Sequence, residues 1–449
     1  MNDWDWQLYP ETEGFVSGLI RSFLDGNGYA DVVRREMEST SSTRFIDWVD
    51  SMAIADGAVN EEDLERLGFV KDRKTSVAGT AYIHPGKFFP IVLHPERFSR
   101  LSVNVDDLER FLIAGHMTNK TVRGERNAAF RRAELNREGD RSFCAVERHG
   151  SRTFEIGKAT DTEEYGTALK LLSTRRRAFP DDREGIADLA ASVGALADTL
   201  DLGRLADAFF RAERTYWQSK NHAGTVQSRR QELLGLGWGN HDHHTFRCSR
   251  ENFGGAIAIF EEMGLTRRER FFAGAEAGWG AQVMERSDSG LVVFADVDLG
   301  PDEGGKDFVG RGLGPLPKLG TVGLWVGLHG ESLLDSGMHH LAVGSDFIGM
   351  RDGLKAREVA SMGPFSDFDF LRQSFTEPER WTPPRERMER LRAGHSITEE
   401  QASKFTGNGA VGSHLEIIQR DRGFKGFNQR SVSAIIRLTD PLRTSGMGA

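Results

Sequence analysis

The stretch Ser413-His414-Leu415-Glu416-Ile417-Ile418-Gln419-Arg420, followed by Gly423-Phe424-Lys425-Gly426-Phe427, puts a carboxylate inside an apolar, strand-like run. An isolated ionised carboxylate is expensive to bury, so Glu416 needs a cationic partner. Two histidine-bearing segments upstream, Asp242-His243-His244 and Gly337-Met338-His339-His340-Leu341-Ala342, offer the rest of a divalent metal site. Neutral imidazole suits Fe, Zn, Ni or Cu, and one carboxylate adds charge and hardness, with coordination positions left for substrate. With 13 histidines in the chain some clustering is inevitable, so spacing by itself does not choose the ligands.

The two histidine segments belong to a weak internal repeat. A strand pattern over 242–248 leads to a helix pattern through Phe253, Ile257 and Phe260, and His340-Leu341-Ala342-Val343 leads through Ser345-Asp346 to a helix-like run over 349–359. His243 and His340 are 97 residues apart. Paired modules of that length, each a strand, a helix and several strands, predict two βαβββ units in an α+β fold. Between them, Gln282-Val283-Met284 and Leu291-Val292-Val293-Phe294-Ala295 flank Ser287-Asp288-Ser289-Gly290, which predicts a hairpin.

At 449 residues the chain exceeds one ordinary hydrophobic core, so two or three domains are expected. A net charge of -9 gives no basic excess for a phosphate backbone, so nucleic acid is not expected as a partner. Two cysteines, Cys144 and Cys248, cannot build a disulfide framework, which fits a reducing cytoplasm. The acidic start Met1-Asn2-Asp3-Trp4-Asp5-Trp6 does not read as a signal peptide, and no apolar run reaches ~20 residues, so no membrane association is expected.

The first ~120 residues read as mixed α/β, with alternating Leu101, Val103 and Val105 feeding a helix through Leu108 and Leu112. Residues 121–140 are charge-rich and read as a solvated helix or loop. Ile186, Leu189, Val193, Leu196 and Leu200 follow the helical period, and a second helix is expected through Leu205, Phe209 and Tyr216. The polar run 219–230 places the boundary there: 1–230 an N-terminal α/β and helical region, 231–449 the catalytic domain. Arg175-Arg176-Arg177, beside Asp181, Asp182 and Glu184, reads as an exposed mixed-charge loop without a role. Gly407-Asn408-Gly409-Ala410-Val411-Gly412 matches G-x-G-x-x-G, but strand-like 415–418 follows where that fingerprint needs a helix.

From about residue 240 to 440 the chain resembles the catalytic half of 4-hydroxyphenylpyruvate dioxygenase, in the vicinal oxygen chelate superfamily. Asp242-His243 resembles the segment with that family's first iron-binding histidine, and His340-Leu341-Ala342 resembles its Gly-x-x-His-Ile-Ala motif. The run 383–391 looks like the helix after the second histidine strand. Glu416-Ile417-Ile418-Gln419-Arg420 with Gly426-Phe427 is similar to the signature around its glutamate ligand and substrate-packing aromatic residue. Three departures stand out. Residues 407–412 replace an expected strand before the glutamate strand, Ala295-Asp296-Val297-Asp298 replaces a Pro-x-Asn-Glu strand end, and Ser431-Val432 replaces Asn-Phe.

The resemblance implies a metal-containing half-barrel of paired βαβββ modules, with Fe(II) on His243, His340 and Glu416 and a small 2-oxo acid or related chelating substrate reacting with dioxygen. Phe427, Asp296 and Gln419 are then the candidate substrate-facing residues; Phe427 would stack on substrate or close the core beneath a C-terminal helix. Gln282 is a further strand residue expected at the cavity. His414, two residues before Glu416, shares its face and could support the ligands. His244 and His339 should point to the opposite face of their strands as structural residues. Two alternatives stay open: a non-oxidative metalloenzyme of the same superfamily using Zn, Ni or Mn, and a small-ligand-binding protein without turnover. A homo-oligomer is possible on either reading.

Overall fold

The computed structural model describes residues 6–428 apart from 56, 76, 157–160, 275, 276 and 311. Ser431-Val432 and any C-terminal helix lie outside the described residues.

The second half forms an eight-stranded sheet. Its strand order is Thr266–Phe272, Trp279–Arg286, Leu291–Asp298, His241–Arg247, His340–Gly344, His414–Arg420, Leu371–Phe375 and Ser366–Phe368. The order resolves into two βαβββ units, as expected. In the first, His241–Arg247 leads through helix Phe253–Glu262 to three antiparallel strands. In the second, His340–Gly344 leads through helix Phe347–Lys355 to the other three. The two first strands meet antiparallel at the centre, and His340–Gly344 runs parallel to the Glu416 strand. The predicted hairpin is present, with Arg286 opposite Leu291 and Gly290 at φ +69° in its turn.

The first half repeats this plan. Its sheet runs Val70–Asp72, Thr80–Ile83, Ile91–His94, Val49–Ala55, Ser99–Asn104, Arg141–Arg148, Phe130–Glu138 and Val122–Arg123. Helices Glu61–Arg66 and Leu108–Ala114 occupy the places of Phe253–Glu262 and Phe347–Lys355. The described residues thus hold four modules, and the mixed α/β region is itself a pair of them. The charge-rich segment 121–140, expected as a solvated helix or loop, is mostly strand, Val122–Arg123 and Phe130–Glu138, with a loop over 124–129. Phe130, Ala133 and Leu135 are buried, and a bulge between Glu134 and Asn136 shifts the register.

Helices join the halves. The predicted pair is present as Asp182–Ala197 and Leu202–Ser219, with Leu189, Val193, Leu205 and Phe209 in the core. Position 230 lies inside a further helix, His222–Glu232. Its polarity is that of a buried seam rather than a linker: Gln227 Nε2 donates to the Ser41 carbonyl at 2.9 Å, and Arg230 Nη2 to Ser42 Oγ at 2.5 Å. The arginine run is likewise structural. Arg175 and Arg177 both donate to the buried Glu213, at 2.7 and 2.6 Å, so the polar stretch is folded inward by a carboxylate 36 or more residues away. Among the described residues no helix is long and apolar enough to cross a membrane, and Cys144 and Cys248 are buried free thiols.

Candidate metal centre

Strand register assembles the donors. Ala342 stands opposite His243 on one neighbouring strand and Glu416 on the other, so these two side chains flank it on one face. His340, two residues earlier on the same strand, shares that face by the two-residue pleat. Ala342 between them is small and fully buried, packed with Leu371, Ile418 and Phe424. On that face His243 Nε2 and His340 Nε2 each lie 3.1 Å from one oxygen, Glu416 Oε2. His243, His340 and Glu416 are 3, 8 and 2% exposed, so the carboxylate has lost its water and faces two imidazoles instead.

The supporting contacts fix which atoms face the site. Asp242 Oδ1 accepts from His243 Nδ1 at 2.9 Å, which presents Nε2 inward. Asp242 is gripped in turn by Arg420, at 2.9 and 3.1 Å, and by Lys87 from the first half of the chain. Gln373 Nε2 donates to Glu416 Oε1 at 2.7 Å, leaving Oε2 toward the histidines. Thr245 Oγ1 lies 2.8 Å from His340 Nε2.

Electrostatics agree with a cation site. Burial raises a carboxyl, but His243 and His340 overcome it and hold Glu416 far below the carboxylate range. Burial likewise opposes the charge on Asp242, yet Arg420, Lys87 and His243 hold it well below its ordinary value. His243 is raised, because the Glu416 charge and the Asp242 hydrogen bond outweigh its burial, while for His340 burial wins and the shift is downward. Two imidazole nitrogens and a committed carboxylate oxygen are a donor set for a divalent late transition ion, so the residues present fit such a metal.

The donors sit in a cavity of about 90 Å³. Phe271, Trp279, Phe294, Phe365, Phe375 and Phe427 form aromatic walls, and Arg247, Asp296, Gln373 and Asn428 supply polar groups. Phe427 meets the His243 ring edge-on at 5.2 Å and Phe294 at 4.5 Å. Burial pushes Asp296 up to about 7, against the pull of Arg247 and His243.

The remaining expectations divide. Phe427 and Asp296 line the cavity, but Gln419 does not. It lies on the opposite face of its strand, where its Oε1 accepts from Phe347 N at 3.0 Å and its Nε2 donates to Asp421 at 2.8 Å, pinning helix Phe347–Lys355. Gln282 also turns away, its Nε2 donating to the Glu269 and Val283 carbonyls. His244 faces the helices, against Phe210 and Arg214, as expected. His339 does not face away: it precedes the strand, so alternation does not govern it, and it borders the cavity beside His340. His414 stacks on Phe375 at 4.1 Å and on His340 at 5.2 Å.

Gln373 was missed. The strand expected just before the glutamate strand exists as Leu371–Phe375, so residues 407–412 do not replace it. Residues 376–413 intervene, carrying helices Arg385–Ala393 and Glu399–Asn408. The run 383–391 therefore belongs to that insertion, and the helix after the second histidine strand is Phe347–Lys355.

No family model and no curated protein matches this chain. Among solved structures, a triple mutant of 4-hydroxymandelate synthase from Streptomyces coelicolor is 13% identical, covering 76% of this chain and 97% of its own, at a TM-score of 0.30. Methylmalonyl-CoA epimerase from Mycobacterium tuberculosis is 11% identical over 40% of this chain and 88% of its own, at 0.23. A xylose isomerase-like TIM barrel/4-hydroxyphenylpyruvate dioxygenase fusion protein is 11% identical over 93% of this chain and 57% of its own, at 0.25. Likenesses this weak carry no functional argument, and the strand order carries the fold. The chain has an α+β fold of the vicinal oxygen chelate type, with paired βαβββ modules in both sheets and the donor group on the second.

Proposed function

We propose that this protein is a mononuclear non-haem Fe(II)-dependent dioxygenase acting on a small 2-oxo acid or related chelating substrate, with His243, His340 and Glu416 as metal ligands. The observation that carries the reading is the single buried carboxylate oxygen held 3.1 Å from two imidazole nitrogens in an aromatic-walled cavity. When bound, Fe(II) supplies electrons and open positions for a chelating substrate and dioxygen.

The protein's own part is positioning. Asp242 sets the His243 tautomer, and Gln373 holds the second Glu416 oxygen. Arg247 gives the cavity a cation suited to a substrate carboxylate. Phe294, Phe375 and Phe427 limit water around the reacting centre.

One observation favours a second reading. Asp296 is a buried carboxyl in the cavity wall, a group able to give or take a proton beside the donors, which suits a non-oxidative isomerase or lyase on Zn, Ni or Mn. Anaerobic purification, metal analysis by mass spectrometry and oxygen-uptake assays with 2-oxo acids separate the two. About one Fe per chain, lost in Glu416→Ala and His340→Ala, together with oxygen uptake, is the expected result. Stoichiometric Zn or Ni without uptake would move the assignment to the second reading, and iron retained in both variants would sink the ligand set.

A further inference from the structure

Beside the Glu416 group, and sharing His340 with it, three imidazoles converge. Ring centroids are 4.6 Å apart for His339 and His414, 5.2 Å for His340 and His414, and 5.4 Å for His339 and His340. One nitrogen from each ring lies within 4.8 Å of the others. His339 and His414 are 2 and 0% exposed. Even so, His339 Nδ1, His340 Nδ1 and both nitrogens of His414 have no hydrogen-bond partner. Buried polar atoms are almost always paired, and three clustered buried imidazoles that each carry an orphaned nitrogen call for a ligand.

We propose that His339, His340 and His414 form a second metal site, which takes Zn²⁺ or Cu²⁺ and shares the His340 ring with the Glu416 site. His340 Nε2 is committed to Glu416 and Thr245, so the unpartnered Nδ1 is the atom left for the second ion. With both ions bound the ring bridges them, its proton passed to solvent. The other two rings are held in place: Phe375 stacks on His414 at 4.1 Å, and Trp325 meets His339 edge-on at 5.3 Å. Three imidazoles without thiolate or carboxylate select against Mg²⁺ and Ca²⁺, and the Irving–Williams order ranks Zn²⁺ and Cu²⁺ above Fe²⁺ for such a site.

The test is a zinc count. Metal-free full-length protein is dialysed against Zn²⁺, and bound metal is measured for the wild type, Glu416→Ala, His414→Phe, His340→Ala and the Glu416→Ala/His414→Phe double variant. Two equivalents in the wild type, one in each of the first two variants and none in the last two are expected. One equivalent in the wild type with none in Glu416→Ala would overturn the second site, as would one retained by the double variant. One equivalent in both the wild type and Glu416→Ala, lost in His414→Phe, would support the trihistidine site while sinking the Glu416 site. Should the His414 variants fail to fold, Cu²⁺-loaded Glu416→Ala decides by electron paramagnetic resonance: hyperfine structure from three nitrogens supports the site, and fewer overturn it.

Discussion

Gln373 makes one hydrogen bond that decides which oxygen of Glu416 faces the histidines. Gln373→Leu frees Oε1 to swing and leaves it unpartnered, so divalent-metal affinity at this centre should fall by about 10–100-fold, measured by competition with a chelator. Unchanged affinity would remove Gln373 from the site. Glu331 offers a separate residue-scale prediction. It is 1% exposed, accepts from Asn252 Nδ2 at 2.9 Å, and is pushed up to about 7 by burial. A carboxyl whose folded pKa is raised contributes stability present below its unfolded pKa and lost as pH rises through the folded one. The window runs from about pH 4.5 to 7. Glu331→Gln should therefore match the wild type in denaturant unfolding at pH 4 and exceed it at pH 8 by up to about 3 kcal/mol. His243, in the polar strand His-Asp-His-His-Thr-Phe-Arg, was singled out by resemblance, whereas His340 and Glu416 were legible because they stand in apolar strand runs. Gln373 was not, since its strand, Leu-Arg-Gln-Ser-Phe, is half polar and stands some forty residues from the glutamate it serves.

At the scale of elements, the centre depends on three strands whose register brings His243, Ala342 and Glu416 level. Ala342→Leu should keep the register and overpack the site between His243 and Glu416. Circular dichroism should stay native, stability should drop by about 1–3 kcal/mol, and the metal should be lost. Metal retained at full stoichiometry would show that the ion does not sit above Ala342. The module repeat was legible in the second half because a histidine marked each first strand. In the first half no such mark exists, and short strands such as Val122–Arg123 carry too few residues for alternation to show. The helix His222–Glu232 gave no apolar signal for a related reason: its buried face includes Gln227, Ser228, Arg230 and Gln231, with Gln227 donating to the Ser41 carbonyl and Arg230 to the Ser42 hydroxyl.

Taken whole, the molecule ties its halves together next to the chemistry. Lys87 reaches from the first half to Asp242, Arg44 bonds Asp421 at 2.5 Å, and Glu13 accepts from the Arg422 backbone at 2.5 Å. The role of residues 1–230, which sequence could not assign, includes this buttress. Lys87→Met should weaken metal binding by about tenfold or less, through Asp242, without changing the metal count at saturation. No change in affinity would confine the contact to stability.

The two sheets share one strand order, yet both donor groups found among the described residues lie on the second. The chain thereby carries its own reference. Any perturbation common to the fold, such as temperature or denaturant, reaches both sheets, whereas loading with a divalent ion should slow amide hydrogen exchange in His241–Arg247, His340–Gly344 and His414–Arg420 and spare Val49–Ala55, Ser99–Asn104 and Arg141–Arg148. One half of the polypeptide thus calibrates the other within a single sample.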